Sequence, residues 1–156
     1  MVIIPPDIKK FVEDQGVFVV GTVGDNQLAN VSPRIFYRID EEDIYWIDFF
    51  EHKTFRNFQK NPWVTISVFN KEDLTGYQFR GTVNIVTDEP KKSQIQESII
   101  KKTLEKNSST KVKKISEKEG YIIQFEPKVC YSLNPEEYSD MCIGSDIDST
   151  KIFEKL

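Results

Sequence analysis

The chain has 156 residues, of which 38% are hydrophobic, 12% aromatic and 29% charged, and its formal net charge is −4. This composition is typical of one folded globular domain, and it argues against a disordered chain and against a generic nucleic-acid binder. With one His and two Cys, the chain cannot build a structural zinc site from these residues alone, and a Ser-His-Asp triad would have to use that single His.

Signals for export, membrane insertion and thiol chemistry are weak in this chain. No stretch is long and apolar enough for a transmembrane helix, and the N-terminus has no basic region followed by an apolar run, as a signal peptide would. Cys130 and Cys142 have no recognised redox spacing and are expected to be free thiols. Glu residues interrupt the Lys-rich stretch 101–118, which indicates a solvated surface. We therefore expect a cytoplasmic protein that binds neither membranes nor nucleic acid.

The first half of the chain begins with a helix and continues as β-branched runs separated by turn residues. Apolar residues between positions 8 and 12 have helical spacing, and Gly16 is expected to end this helix. Pro33 lies inside one of the β-branched runs and indicates an edge position or a bulge, because proline cannot donate to a strand ladder. Strands are predicted over residues 17–23, 27–39 and 44–47.

The second half of the chain contains two further helices and three strands. A short helix is predicted from Lys53 to the Asn61-Pro62 pair, and residues 107–119 are predicted to form a loop or short surface helix. The other predicted elements are a helix over residues 91–106 and strands over 63–69, 77–86 and 120–125, the last of which is expected to continue past Pro127. About six strands with short turns and added helices predict an antiparallel barrel or sandwich, and the lack of βαβ alternation argues against a Rossmann sheet.

The first candidate site is the sequence His52-Lys53-Thr54, where a strand is followed by a helix. A helix N-terminus presents unpaired backbone N–H groups and the positive end of the helix dipole, so it attracts phosphate. Lys53 adds a positive charge and Thr54 adds a hydroxyl. The alternative is that Thr54 only caps the helix beside a solvated Lys. His52 is expected to support this loop or to face solvent.

Two further candidates lie on predicted strands. Arg80 shares a strand face with Gln78 and Thr82, and its guanidinium is suited to bidentate phosphate binding, while Gly81 allows a ligand or a backbone to approach closely. Asn30, Ser32 and Arg34 form a second polar face. In each case the alternative is an ordinary solvent-facing strand surface. Together, the three candidates are typical of a site for a phosphorylated, planar, aromatic molecule, although neither G-x-G-x-x-G nor a Walker A loop is present.

These residues, in this order, carry a resemblance to a known family. His52-Lys53-Thr54 opens a helix that ends at Asn61-Pro62, a strand follows, and then comes Phe79-Arg80-Gly81-Thr82. The arrangement resembles the FMN-binding split β-barrel proteins of the pyridoxamine 5′-phosphate oxidase-related superfamily, and its small single-domain members above all, over roughly residues 7–125. The resemblance implies a mainly β fold with added helices, a six-stranded antiparallel split barrel, and a homodimer with FMN at the interface.

The resemblance also implies which residues contact the cofactor. Lys53 and Thr54 would hold the FMN phosphate, with Arg80 as the second cationic group, in agreement with the phosphate roles argued above from the residues themselves. Contacts to the flavin ring rest on the resemblance alone and are implied for Asn30, Val31, Ser32, Pro33, Ile47, Asp48, Phe49 and Gln78. No catalytic residue and no metal ligand is identified.

The resulting hypothesis is an FMN-binding flavoprotein that acts as an oxidoreductase, a flavin reductase or an electron carrier. The alternatives are a non-catalytic FMN or haem sensor on the same barrel, with His52 as a haem ligand, and a protein-interaction domain. The chain ends without the Arg-rich segment of the true vitamin B6 oxidase, so oxidation of pyridoxamine phosphate is not expected. Residues 1–133 are expected to form the flavin domain, and residues 134–156 an extension that packs on it or on the partner subunit.

Overall fold

The computed structural model describes residues 2–137 and 142–145, and this part of the chain contains eight strands and four helices. The strands are β1 (Phe18–Val23), β2 (Ala29–Arg34), β3 (Tyr37–Ile39), β4 (Ile44–Asp48), β5 (Trp63–Asn70), β6 (Thr75–Val86), β7 (Tyr121–Ser132) and β8 (Cys142–Ser145). The helices are α1 (Pro6–Gln15), α2 (Lys53–Lys60), α3 (Lys91–Lys106) and α4 (Thr110–Ser116). None of these four helices is long and apolar enough to cross a membrane.

The strands form one antiparallel sheet in the order β2-β1-β5-β6-β7-β4-β3, with β8 paired to β7. β2 and β3 lie at opposite ends of this order, although only Ile35 and Phe36 separate them in the chain. The sheet must therefore curl until its two ends meet at these residues. This closure confirms the predicted mainly β, antiparallel split barrel with added helices.

The predicted long strand over residues 27–39 is the clearest difference between expectation and structure. It is broken at Ile35 and Phe36, because β2 pairs with β1 whereas β3 pairs with β4. The break turns one predicted strand into two, and β8 adds another in a weakly patterned stretch. The described residues therefore contain eight strands, where six were expected. The predicted loop or short surface helix over residues 107–119 contains α4 (Thr110–Ser116), and its N-cap Ser109 accepts a side-chain hydrogen bond from the Val112 backbone N–H.

The buried apolar residues form two clusters on either side of β4. Ile44 and Trp46 point into the barrel interior, while Tyr45 and Ile47 join a second cluster beneath α3 and α4. All five residues of β4 are buried, which explains why this strand reads as a continuous apolar run rather than an alternating one. Asp48, the last residue of this strand, is also buried although its side chain is ionisable.

Helix α2 follows β4 after a short loop and packs over one end of the sheet. Phe55 and Phe58 are buried in the barrel core. Asn57 donates a side-chain hydrogen bond to the Thr22 hydroxyl of β1 at 3.1 Å. These contacts fix the start of α2 beside the end of β2, and this junction positions the candidate site.

Candidate functional site

A cavity of about 420 Å³ opens where β2 ends, next to the end of β4 and the start of α2. Its volume lies within the range typical of small-molecule sites. It has polar residues towards α2 and apolar residues towards β4 and α4. The lining residues are Asn30, Ser32, Pro33, Arg34, Ile35, Phe36, Ile47, Asp48, Phe49, Phe50, His52, Lys53, Thr54, Arg56 and Ile115.

A small hydrogen-bond network joins α2 to β2 at the polar end of this cavity. The buried Thr54 hydroxyl accepts a hydrogen bond from the Asn30 amide at 2.9 Å and lies 2.8 Å from the Ser32 hydroxyl. Thr54 therefore does not cap its own helix, which was the alternative reading of the sequence. The N-cap residue is His52, whose side chain makes no capping hydrogen bond. Lys53, beside the uncapped first turn, is exposed.

A buried ion pair lies in the middle of the cavity wall. Arg34 Nη2 is 2.7 Å from Asp48 Oδ1, and Arg34 Nη1 donates to the Ser32 hydroxyl and to the Pro33 carbonyl. Burial raises the pKa of the Asp48 carboxyl, and the nearby Arg34 guanidinium opposes that rise. Within the described residues, Arg34 Nε and Asp48 Oδ2 are both buried and lack a hydrogen-bond partner.

Aromatic side chains form the other wall and the rim of the cavity. Phe36 and Phe49 meet edge to face, with their ring centroids 5.0 Å apart. Phe50, which is 45% exposed, stacks on His52 at 5.4 Å, and the Lys118 ammonium lies over the Phe50 ring at 5.2 Å. The cavity thus combines exposed cations, buried hydroxyl and amide groups, and flat apolar surfaces. No group of metal-ligating side chains is found in the part of the chain that the structure describes.

Most of the predicted contact residues line this cavity, but Val31, Gln78 and Arg80 do not. Val31 is 69% exposed and points away from the cavity. Arg80 donates through Nε to Gln78 Oε1 at 3.1 Å and lies over the Tyr131 ring at 5.3 Å. β1 and β5 separate β6 from β2, so Arg80 is not in the same cavity as Lys53 within one chain.

These three residues share the solvent side of the sheet, which we term the outer sheet face. Its residues follow from the strand register and from the burial of the alternate positions. They include Val19, Gly21 and Val23 of β1; Ala29, Val31 and Pro33 of β2; Trp63, Thr65, Ser67 and Phe69 of β5; and Gln78, Arg80 and Thr82 of β6. Gly81 follows a bulge beside this face, where a Cβ would lie 2.1 Å from the Glu126 carbonyl oxygen. The group that approaches Gly81 closely, as the sequence predicted, is therefore the backbone of Glu126.

Sequence reasoning identified some cavity residues and missed others. Arg34 was recognised as part of a polar strand face but was not assigned to the site, although its alternation with Asn30 and Ser32 was visible. Phe36 and Ile115 reach the cavity only because the barrel closes and α4 folds over it. No local pattern identifies such residues, since their neighbours in the cavity come from distant parts of the chain.

The fold and the cavity together define a split-barrel protein with a site built at the seam of the sheet. Residues 4–137 match the family model described as pyridoxamine 5′-phosphate oxidase, and the chain belongs to this family. This confirms the family resemblance inferred from the motifs. A comparison with the curated proteins gives no significant match.

Several solved structures share this fold. HupZ from Group A Streptococcus is 20% identical, with a TM-score of 0.66, and the match covers 85% of this chain and 95% of that one. HutZ, described as the heme storage protein from Vibrio cholerae, is 18% identical, with a TM-score of 0.62 and coverage of 81% and 92%. A protein described as F420 reductase is 19% identical, with a TM-score of 0.63 and coverage of 82% and 98%. At these identities the likeness shows the fold alone.

Proposed function

We propose that this protein binds FMN in the cavity at the start of α2 and acts as a flavin-dependent oxidoreductase or electron carrier. The observation that carries the proposal is the pairing of a phosphate-type site with a flat apolar site in one cavity. The phosphate-type site consists of Lys53, Thr54 and the uncapped first turn of α2. The flat apolar site includes Phe36 and Phe49. Membership of the pyridoxamine 5′-phosphate oxidase family is consistent with this proposal.

The residues of the cavity fit the two parts of FMN chemically. Lys53 and Arg56 supply positive charge for the phosphate, and the α2 backbone N–H groups supply donors. The unpartnered Arg34 Nε and Asp48 Oδ2 are a donor and an acceptor, which suits a ring that carries both carbonyl and N–H groups. When bound, FMN supplies the hydride or electron transfer, and the protein binds it, orients it and shields it from water.

We also propose that the working unit is a homodimer that buries the outer sheet face. This face carries the exposed side chains of Val19, Val23, Val31, Trp63 and Phe69. Several exposed apolar side chains on one sheet face are typical of a protein interface. Pro33 belongs to both the outer sheet face and the cavity lining, so a second copy seated on this face would adjoin the cavity.

The dimer gives Arg80 and Gln78 a role that a single chain does not. Both lie on the outer sheet face, and both are remote from the cavity of their own chain. In a two-fold dimer, each subunit presents the same face to its partner. Arg80 of one subunit would then complete the phosphate site of the other, with Gln78 beside it.

The proposal is tested by measuring the affinity for FMN and for riboflavin, which lacks the phosphate. The wild-type protein should be stabilised thermally by FMN and should hold roughly one FMN per chain. Lys53→Ala should weaken FMN binding about tenfold and leave riboflavin binding unchanged, because one charge-assisted contact to phosphate is lost. Lys60→Ala, at the other end of α2, is the matched control and should leave both affinities unchanged. A wild-type protein that FMN does not stabilise would refute the proposal.

Haem binding through His52 is the competing hypothesis, since the only His of the chain lines the cavity. Titration with haemin distinguishes the two. If haem is the ligand, the wild-type protein will show the Soret band of a His-ligated iron, and His52→Ala will lose this band. FMN will then not compete with haem for binding. If FMN is the ligand, FMN will prevent haem uptake, and His52→Ala will retain its FMN affinity.

A further inference from the structure

Arg34 and Asp48 form an ion pair in the wall of the cavity. The same cavity is lined by the exposed cations Lys53 and Arg56. The Arg34 side chain is 15% exposed and that of Asp48 is 4% exposed. Charges this deeply buried interact strongly because little water screens them. The pair is therefore a strong electrostatic feature of this cavity wall.

Arg34 is held in place by several contacts. Its Nη1 donates to the Ser32 hydroxyl at 2.8 Å and to the Pro33 carbonyl at 2.9 Å, and its Nη2 faces Asp48 Oδ1 at 2.7 Å. Its Nε remains without a partner in the described part of the chain. Of these partners, Asp48 alone carries a charge, so it is the residue that balances the guanidinium.

Asp48 is held less completely than Arg34. Its Oδ2 has no hydrogen-bond partner within the described residues. The Trp46 indole N–H lies close enough to lower the pKa of Asp48 but makes no hydrogen bond of good geometry. A buried carboxylate on its own is costly, but Asn at this position would leave the Arg34 guanidinium buried without its counter-charge, which is also destabilising. The negative charge at this position is therefore tied to the positive charge of Arg34.

We infer that Asp48 is a positioning residue that holds Arg34 against the cavity wall and cancels its charge, which keeps the reduction potential of the bound flavin low. This inference rests on the proposed binding of FMN. When bound, FMN would supply two-electron chemistry in which the ring gains negative charge, so the net charge of the cavity wall beside it would set how far that reduced form is favoured. An unbalanced Arg34 would stabilise that reduced form and raise the midpoint potential, whereas Asp48 removes that stabilisation.

The test is the midpoint potential of bound FMN, measured by reduction with dithionite against a reference dye. Asp48→Asn should bind the reduced form at least tenfold more tightly relative to the oxidised form, which for a two-electron couple is a positive shift of about 30 mV. Arg34→Gln should shift the potential in the negative direction, because it leaves Asp48 unbalanced. Glu51→Gln, which removes an exposed carboxylate two residues before Lys53, is the control and should leave the potential unchanged.

Opposite shifts in the two variants separate charge balance from a structural role, because general loosening of the cavity would move both potentials in the same direction. If Asp48→Asn folds poorly, the negative shift in Arg34→Gln still decides the question. Wild-type potentials in both variants, with FMN bound, would overturn the inference and leave the proposed function standing. Failure of the wild-type chain to bind FMN would overturn both.

Discussion

The cavity and the outer sheet face carry the two halves of one predicted phosphate site. Lys53 and Thr54 lie at the cavity, whereas Arg80 and Gln78 lie on the outer sheet face of β6, with β1 and β5 in between. The cavity groups are organised by part-buried hydrogen bonds. The outer sheet face exposes apolar side chains, and its Arg80 contacts Gln78 and Tyr131. The difference shows that the cavity is formed within one chain, and in the proposed dimer the partner subunit would supply the second half.

The largest expected effect comes from the bulge that shapes the outer sheet face. In Gly81→Ala, the new Cβ would meet the Glu126 carbonyl oxygen at 2.1 Å, and that oxygen belongs to the backbone of β7 and cannot rotate away. We expect a loss of about 3 kcal/mol in the free energy of unfolding, at the upper end for overpacking. Urea denaturation measures it. Thr82→Ala, on the neighbouring residue, is the control and should cost less than about 1 kcal/mol. Equal losses in the two variants would contradict the backbone clash.

The next effect separates the two regions functionally. Val31→Asp introduces a charge on the outer sheet face without touching the cavity, since Val31 is 69% exposed in one chain. We expect the proposed dimer to dissociate and FMN affinity to fall at least tenfold, or about 1.4 kcal/mol, because Arg80 of the partner is lost. Sedimentation and FMN titration measure the two changes.

Ile3→Asp is the matched control for that variant, because Ile3 is also an exposed apolar residue, at 63%, and lies outside the outer sheet face. It should leave both the mass and the FMN affinity unchanged. A monomeric Val31→Asp protein that still binds FMN with wild-type affinity would show that the cavity of one chain is sufficient.

Mixing two variants with weakened FMN binding tests whether Lys53 and Arg80 of one site come from different subunits. Lys53→Ala and Arg80→Ala should each weaken FMN binding about tenfold, because each removes one charge from the phosphate site. If the two residues come from different subunits, hybrid dimers will contain one intact site, and about one quarter of all sites will recover wild-type affinity after statistical exchange of subunits. If both residues of a site belonged to one chain, no mixture would recover any. Titration after unfolding and refolding the two proteins together distinguishes these outcomes.

The smallest expected effect is a pH dependence that belongs to the cavity alone. Burial raises the pKa of Asp48 above its ordinary value of 3.8, so the folded state binds this proton more tightly than the unfolded state. The contribution of this group to stability is then greatest at a pH below 3.8 and is lost as the pH rises through the raised pKa. The unfolding free energy of wild type, relative to Asp48→Asn, should fall across that window, as urea titrations at several pH values would show. If the unfolding free energy of wild type relative to Asp48→Asn instead rises with pH, the attraction of Arg34 lowers the pKa of Asp48 more than burial raises it.

Much of the local structure was predictable because it depends on interactions between close neighbours in the chain. The spacing of apolar residues and Pro90 predicted α3 over residues 91–106, as observed, and Gly16 ends α1 in the left-handed conformation that glycine tolerates. The same reasoning placed Lys53 and Thr54 at the start of a helix. It was less successful at residues 27–39, where the period-two pattern continues through Ile35 and Phe36 although the hydrogen-bonding partner changes there.

By itself, the sequence determined the family, most of the helices and strands in their order, and the residue types proposed for a phosphate site, since turn chemistry, periodicity and short motifs are local properties. Tertiary structure alone decided that Arg34 meets Asp48, that Ile115 reaches the same cavity, and that Arg80 lies on the other side of two strands from Lys53. These relations depend on the register and closure of the whole sheet. A residue's strand face can be read from its neighbours, but its place in a closed barrel is set by strands paired across long stretches of chain.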